Sequence, residues 1–207
     1  HNEPTSFGFI ASLAGETSVP NLSSHFTRQR IMQVPEDYFS LFSLERRFAI
    51  DKNALAANFR ALQKENHPDK VAADDEQAKL LAVQKSSLLN DAYATLKSPL
   101  ARAGYLLTLQ GVDVEGVSQD DLDMAVLMEQ MELREKVAEA PAGEAGLAVL
   151  LPIKRDIQSR IETREQRFVA NLEADDLSSA KRVFHELQFL HKLFQEIEVS
   201  EEKRLGY

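Results

Sequence analysis

Apolar residues recur with a helical period through most of the chain, in segments separated by short polar or proline-containing stretches. Asp51 is a good N-cap, and the segment after it predicts a helix over residues 52–65. The apolar stripe of this helix, at i, i+4 and i+7, consists of Leu55, Phe59 and Leu62. A second helix is predicted from about residue 75 to residue 96. Its expected buried residues are Leu80, Leu81, Val83, Leu88, Leu89, Ala92 and Leu96. The two helices are joined by a short polar loop, so they should pack antiparallel.

Shorter helical segments flank this hairpin. Residues 36–44 predict a short apolar helix that packs across it. Ser98-Pro99 is an N-cap followed by proline at the first helical position, and the helix that it begins should end near Gly111. Asn66 suits the end of the first hairpin helix, because asparagine tolerates the left-handed conformation.

The second half of the chain predicts a bundle of three antiparallel helices. They are expected at about residues 120–139, 146–172 and 176–198. Pro152 lies near the start of the middle helix and predicts a late start or a kink. Few stretches alternate with period two, so the predicted fold class is all-α. Its parts are a helical unit at 35–110, a connection at 111–118 that allows some hinge freedom, and the bundle at 119–207.

The first bundle helix has two apolar faces on a helical wheel. Its expected core stripe consists of Leu122, Val126, Leu133 and Val137. A second set falls well away from that stripe, and its members are Met124, Leu127, Met128 and Met131. Beside this second set lie Glu132, Glu135 and Glu139. A helix in a small bundle buries only one face in its own core, so the second face should contact something else.

The last helix also has apolar residues outside its expected core stripe. Its expected core stripe consists of Ala180, Val183, Leu187, Leu190 and Phe194. Phe189 points away from that stripe, with Leu193 between the two directions. An aromatic and several methionines exposed together and bordered by carboxylates are typical of a protein-binding surface. The alternative is that these side chains pack against the first half of the chain or against each other.

The tip of the predicted hairpin carries the tripeptide His67-Pro68-Asp69. Pro68 ends helical geometry and restricts the residue before it, so this polar tripeptide should be a rigid surface element. Arg60 and Lys64 lie four residues apart on a face of the preceding helix that is free to meet solvent or a partner.

These features together resemble a J domain. The resemblance rests on Asp37-Tyr38-Phe39, the basic helix face, His67-Pro68-Asp69-Lys70, the segment from Asn90 to Leu96, and Pro99 with Arg102 and Tyr105. The segment from Leu127 to Glu135 restricts the resemblance to one family of J proteins. That segment is similar to the start of the C-terminal domain of the HscB family, the J-type co-chaperones of iron–sulfur cluster assembly. The resemblance covers roughly residues 35–205, and one departure is Asn66, where J domains commonly have an aromatic residue.

The resemblance implies two protein partners and no cofactor. His67, Pro68 and Asp69 would dock on the ATPase domain of a DnaK-type, HscA-like chaperone, oriented by Arg60 and Lys64, and would stimulate its ATPase. The second surface would bind the IscU-like scaffold protein on which clusters are built. Its matching residues are Leu127, Met128, Met131, Glu132, Glu135, Glu139 and Phe189.

Composition excludes several other classes. The chain has 207 residues, 43% of them apolar, and its net charge of −9 lies entirely within residues 111–207. This acidity argues against nucleic-acid binding, and no apolar run is long enough to span a bilayer. Cysteine is absent, so the protein cannot ligate an iron–sulfur cluster through its own thiolates.

Two other functions are alternatives. An enzyme that uses His67 and Asp69 as an acid/base pair would need a pocket and a third group, and the chain has no nucleophile motif or phosphate-binding loop. His185 and His191 are six residues apart and lie on different faces of their helix, so no metal site is expected. A general J protein that holds unfolded chains often has a Gly/Phe-rich linker and cysteine-ligated zinc, and neither is present.

Residues 1–31 differ from the rest in being rich in Ser, Thr, Asn and Gly without a sustained helical period. They predict a disordered extension, with Met32 as a plausible initiator. The rival interpretation is a transit peptide, since acidic residues are few and Arg28 and Arg30 are present. The expected compartment is therefore the bacterial cytoplasm, with the mitochondrial matrix as the alternative.

Overall fold

The computed structural model describes residues 37–66, 75–116 and 123–205. These residues form seven helices and no strand, so the all-α prediction is confirmed. The helices are α1 (Tyr38–Leu41), α2 (Lys52–Glu65), α3 (Glu76–Lys97), α4 (Pro99–Leu109), α5 (Met124–Ala138), α6 (Glu144–Glu173) and α7 (Leu177–Leu205). The predicted extension, the tripeptide at the hairpin tip and Leu122 lie outside the described residues.

Local capping determines where several helices begin. The carboxylates of Asp51 and Asp75 accept hydrogen bonds from backbone N–H groups in the first turns of α2 and α3. The hydroxyl of Ser98 does the same for α4, which has Pro99 at its first position. Asn66 ends α2 differently from the prediction. Its φ is −102° rather than left-handed, and its side-chain amide donates to the Leu62 carbonyl at 2.8 Å.

The buried face of α3 is narrower than the sequence predicted. Ala82, Leu89 and Leu96 recur every seven residues and are buried together with Ala92. Four of the expected core residues are instead exposed, by 40–60%, namely Leu80, Leu81, Val83 and Leu88. They project in other directions from the helix axis than the buried residues, which pack against α1, α2 and α4. Counting apolar residues therefore overestimated the core.

The long helices α6 and α7 pack antiparallel and form the main helix pair of the bundle. Helix α6 begins at Glu144, well before Pro152, so the predicted late start is wrong. Leu150 and Ile157 are fully buried on either side of the proline, and this packing outweighs the one hydrogen bond that proline cannot donate. At the same end of the pair, Lys154 of α6 binds Glu201 at 2.7 Å and ties down the last turns of α7.

Helix α4 packs directly on α7, so the hairpin part and the bundle share one core. A Cβ atom on Gly104 would lie 3.0 Å from the Phe184 ring, so glycine permits this close approach. Phe48, in the segment before α2, packs on Phe168 of α6 with ring centroids 5.6 Å apart. The buried guanidinium of Arg102 lies 4.9 Å from the Phe48 ring. These contacts hold α4 and the Phe48 segment against the bundle, beside the short connection where hinge freedom was expected.

Candidate partner-binding surfaces

The basic face of α2 is held by aromatic packing. Phe59 stacks on Tyr93 of α3, with ring centroids 4.1 Å apart and planes inclined by 13°. Leu55 is buried on the same side of α2. Arg60 and Lys64 are exposed, as the sequence predicted. His67, Pro68 and Asp69 lie outside the described residues, so their predicted role stays a prediction.

Helix α1 is fixed at the base of the hairpin by Asp37. The carboxylate of Asp37 accepts a hydrogen bond from Ser40 N at 2.8 Å and forms an ion pair with Arg46. Burial alone would raise the pKa of Asp37, but the contacts with Ser40 and Arg46 prevail and hold it below its usual range. Next to it, the rings of Tyr38 and Tyr105 stack at 4.5 Å, and the Tyr105 hydroxyl accepts a hydrogen bond from Tyr38 N.

Helix α5 exposes a continuous apolar stripe opposite its core side. Leu133 is 1% exposed, whereas Met124, Met128 and Met131 are 70%, 64% and 72% exposed. Leu127 is half-buried at the inner edge of this stripe. The expectation that α5 has a second apolar face directed away from its core is confirmed. We call this surface, with Glu132, Glu135 and Glu139 on its outer side, the α5 face.

The carboxylates of the α5 face are exposed and mostly unpaired within the described residues. Glu132 forms an ion pair with Lys136 one turn later, with the Lys136 Nζ atom 2.7 Å from its Oε1. That hydrogen bond and charge lower the pKa of Glu132. Glu135 and Glu139 make no ion pair with any described residue. A negative border thus follows the methionine stripe.

The helical wheel indicated that Phe189 points away from the core of α7. In the structure it does not project freely. Its side chain is half-buried between α7 and α5, and the Arg134 guanidinium lies 5.5 Å from its ring centroid. It also lines a small cavity with Val126 and Gln130 of α5. Leu193, placed between two directions by the wheel, is 2% exposed and belongs to the core. Phe189 therefore joins the α5 face at its inner edge while it supports the contact between α5 and α7.

An ionic network that the sequence analysis missed holds α5 in place. Glu129 of α5 binds both Arg160 and Arg164 of α6, the latter at 2.7 Å. Arg164 also binds Glu186 of α7 at 3.0 Å, so one arginine connects all three helices. The sequence contained a signal for this network, because the spacing of Arg160, Arg164 and Arg167 at i, i+4 and i+7 places three arginines on one face of α6. The identity of their acidic partners depended on which helices cross there.

No group of three potential metal ligands occurs within residues 37–66, 75–116 and 123–205. The Nδ1 atom of His185 lies 2.8 Å from the Gln188 side-chain oxygen. Burial lowers the pKa of His191, which favours its neutral form. Among the described helices none is long and apolar enough to cross a membrane.

Comparisons with known proteins identify the family. Residues 122–198 match the family model described as the HSCB C-terminal oligomerisation domain. The chain is 40% identical over 175 residues to the co-chaperone protein HscB homolog of Vibrio vulnificus, with 82% of this chain and 99% of that protein covered. The chain belongs to the HscB family of co-chaperones. This confirms the family indicated by the sequence, and co-chaperones are not a class of enzymes.

Solved structures agree with this membership. The chaperone HscB from Vibrio cholerae superposes with a TM-score of 0.72 at 37% identity, over 81% of this chain and 99% of that one. The human co-chaperone protein HscB gives a TM-score of 0.73 at 27% identity, over 90% and 95% of the two chains. The HscB fold thus extends over both the J-domain part and the bundle. The α5 face lies within the residues matched by the HscB C-terminal family model.

Proposed function

We propose that this protein binds the scaffold protein of iron–sulfur cluster assembly and delivers it to a DnaK-type, HscA-like chaperone whose ATPase it stimulates. The observation that carries the proposal is the α5 face. Three methionines more than 60% exposed on one helix form a surface that the bundle does not use. Methionine side chains adapt to a partner's surface, and contiguous exposed apolar residues mark protein interfaces.

The scaffold would bind across α5 toward α7. The residues proposed to contact it are Leu127, Met128, Met131, Glu132, Glu135, Glu139 and Phe189. Glu129 does not face the scaffold in this proposal, because it is engaged with Arg160 and Arg164. Its role is to hold α5 so that the methionines remain outward.

The chaperone would bind the opposite part of the chain through His67, Pro68 and Asp69, with Arg60 and Lys64 as the orienting charges. Exposure of Arg60 and Lys64 on a well-packed helix supports this assignment. Two separate surfaces on one chain raise the effective concentration of the scaffold at the chaperone. The protein itself forms and breaks no covalent bond, and it handles the cluster through its carrier. The bacterial relatives support the bacterial cytoplasm as the setting of this role.

Calorimetric titration with an IscU-like scaffold tests the first half. A Met128→Ala/Met131→Ala double variant should bind at least about tenfold more weakly, because aliphatic anchors at the centre of an interface dominate its energy. Leu151→Ala is the matched control, since Leu151 is an exposed apolar residue of α6 outside the α5 face. Equal scaffold affinity in the double variant and the wild type would refute the α5 face as the binding surface.

ATPase measurements test the second half. His67→Gln should nearly abolish stimulation of the chaperone and leave scaffold affinity unchanged. Arg60→Glu/Lys64→Glu should weaken the same stimulation, and more strongly at low salt. Normal stimulation by His67→Gln would exclude the tripeptide as the docking element. A pull-down that compares the folded scaffold with unfolded clients separates this function from that of a general J protein.

A further inference from the structure

We infer that the α5 face is polarised across its width and that Arg134 selects the orientation of the bound scaffold. Arg134 would pair with a carboxylate of the scaffold beside Phe189, while Glu135 and Glu139 would meet basic residues on the other side. This inference rests on the proposed scaffold-binding function and specifies the chemistry that the face accepts.

Arg134 has no acidic residue one helical turn away on its own helix. The positions three and four residues away on either side are Gln130, Met131, Val137 and Ala138, and none carries a charge. By contrast, Glu132 has Lys136 at i+4 and pairs with it. The guanidinium of Arg134 therefore cannot be neutralised by the usual helical pairing.

The tertiary structure does not supply a carboxylate either. Within the described part of the chain, the contact of the Arg134 guanidinium is the Phe189 ring, at 5.5 Å. By contrast, three arginines of α6, namely Arg160, Arg164 and Arg167, form ion pairs with Glu129, Asp156 or Glu186. Arg134 is thus an exposed cation that retains its N–H donors on the surface while an aromatic ring holds its position.

The opposite border of the α5 face carries an uncompensated negative charge. Glu135 lies three residues after Glu132 and four before Glu139, so its helical neighbours on that side repel it. Only Glu132 has a basic partner among the described residues. On a helical wheel, the methionines separate Glu132 and Glu139 from Arg134, and Glu135 lies among the methionines. A partner with basic side chains here would relieve the repulsion.

These two borders define the partner's chemistry. The scaffold surface should present Asp or Glu toward α7, apolar side chains over Met128 and Met131, and Lys or Arg on the outer side. Binding would remove water from Arg134 and strengthen a bidentate pair with a carboxylate. The reversed orientation would oppose like charges at both borders, which is how charged rims select register.

The test compares three substitutions at Arg134 in titrations of the full chain with an IscU-like scaffold. Arg134→Ala should weaken binding about tenfold, the range of a charge-assisted hydrogen bond. Arg134→Lys should weaken it less, because the charge remains but the bidentate geometry is lost. Arg134→Glu should weaken it most and reduce the salt dependence contributed by this pair. Arg155→Glu, an equal charge reversal at an exposed position of α6, should retain wild-type affinity.

A charge swap identifies the opposing group. A scaffold Asp→Lys or Glu→Lys variant should bind the wild type poorly and regain affinity with Arg134→Glu. Unchanged or tighter scaffold binding by Arg134→Ala would overturn the inference, since Arg134 would then merely cover Phe189. Equal weakening by Arg134→Glu and Arg155→Glu would also overturn it. If Met128→Ala/Met131→Ala also binds normally, the proposed function fails. If that double variant loses binding while the Arg134 variants do not, only the inference fails.

Discussion

Helices α3 and α5 both carry more apolar side chains than their neighbours can bury, but they distribute the surplus differently. On α3, the most exposed apolar residues are Leu80, Leu81 and Val83, which point in several directions around its first turns. On α5, Met124, Met128 and Met131 form one stripe along the helix. The α5 stripe has a carboxylate border, whereas the exposed residues of α3 do not share one face.

The difference indicates that the arrangement of exposed apolar residues is more informative than their number. Single apolar residues at the surface are ordinary in folded proteins. A stripe that persists over several turns opposite the core offers one continuous contact surface. The arrangement therefore supports the proposed partner binding by α5, and we expect no such role for the exposed α3 residues.

The largest expected effect is a loss of stability, and it distinguishes the buried side of α5 from its exposed side. Leu133→Ala should lower the free energy of unfolding by about 2–5 kcal/mol, because it removes a fully buried side chain and leaves a cavity. Met131→Ala should change it by no more than about 0.5 kcal/mol, because that side chain is mostly solvated. Denaturant unfolding of both variants checks the contrast. A large loss of stability in Met131→Ala would show that the stripe is part of the core.

Local signals explain why most of the fold was predictable. The limits of α2 followed from the Asp51 cap and the apolar period, and both depend only on nearby residues. The start of α4 followed from Ser98-Pro99 in the same way. The second face of α5 was also predictable, since a wheel needs nothing beyond one helix. The same wheel applied to α3 would have separated Leu80 from Ala82.

Contacts between residues of different helices could not be predicted, because they depend on which helices cross. The half-burial of Phe189 arises because α5 passes over α7 at Gln130 and Arg134. The pairing of Glu129 with Arg160 and Arg164 requires the same crossing. The close approach of α4 to α7 depends on one missing side chain at Gly104. None of these neighbours follows from the spacing within a single helix.

A smaller loss should follow from weakening the network that positions α5. Glu129→Gln keeps the size of the side chain but removes the charge shared by Arg160 and Arg164. We expect the free energy of unfolding to fall by about 1–2 kcal/mol, because the Glu129 side chain is mostly buried and its partners keep their charge. Thermal melting measures this loss. Glu132→Gln is the control, since that exposed pair should contribute little, and an equal loss in both variants would contradict a special role for Glu129.

The base of the hairpin should show a weaker and pH-dependent effect at Asp37. Asn is as good a cap as Asp, so Asp37→Asn chiefly removes the charge that binds Arg46. The loss at neutral pH should be about 1 kcal/mol or less, because Arg46 is partly exposed. The pKa of Asp37 is lowered in the folded state. Its contribution is therefore present above the unfolded-state value of about 4 and disappears as pH falls through the folded-state pKa. Melting both proteins from neutral to acidic pH should show the difference shrink; a constant difference would contradict it.

The smallest effect is expected for the exposed residues of α3, and it tests the comparison most directly. Leu81→Gln replaces an exposed apolar side chain with a polar one of similar length that also favours a helix. The free energy of unfolding should change by no more than about 0.5 kcal/mol, and scaffold affinity should stay at the wild-type value. Met128→Gln is the matched substitution on α5, with equal expected stability but weaker scaffold binding. Titration of both variants with the scaffold, together with denaturant unfolding, measures both effects. Loss of scaffold binding in Leu81→Gln would remove the distinction between the two surfaces.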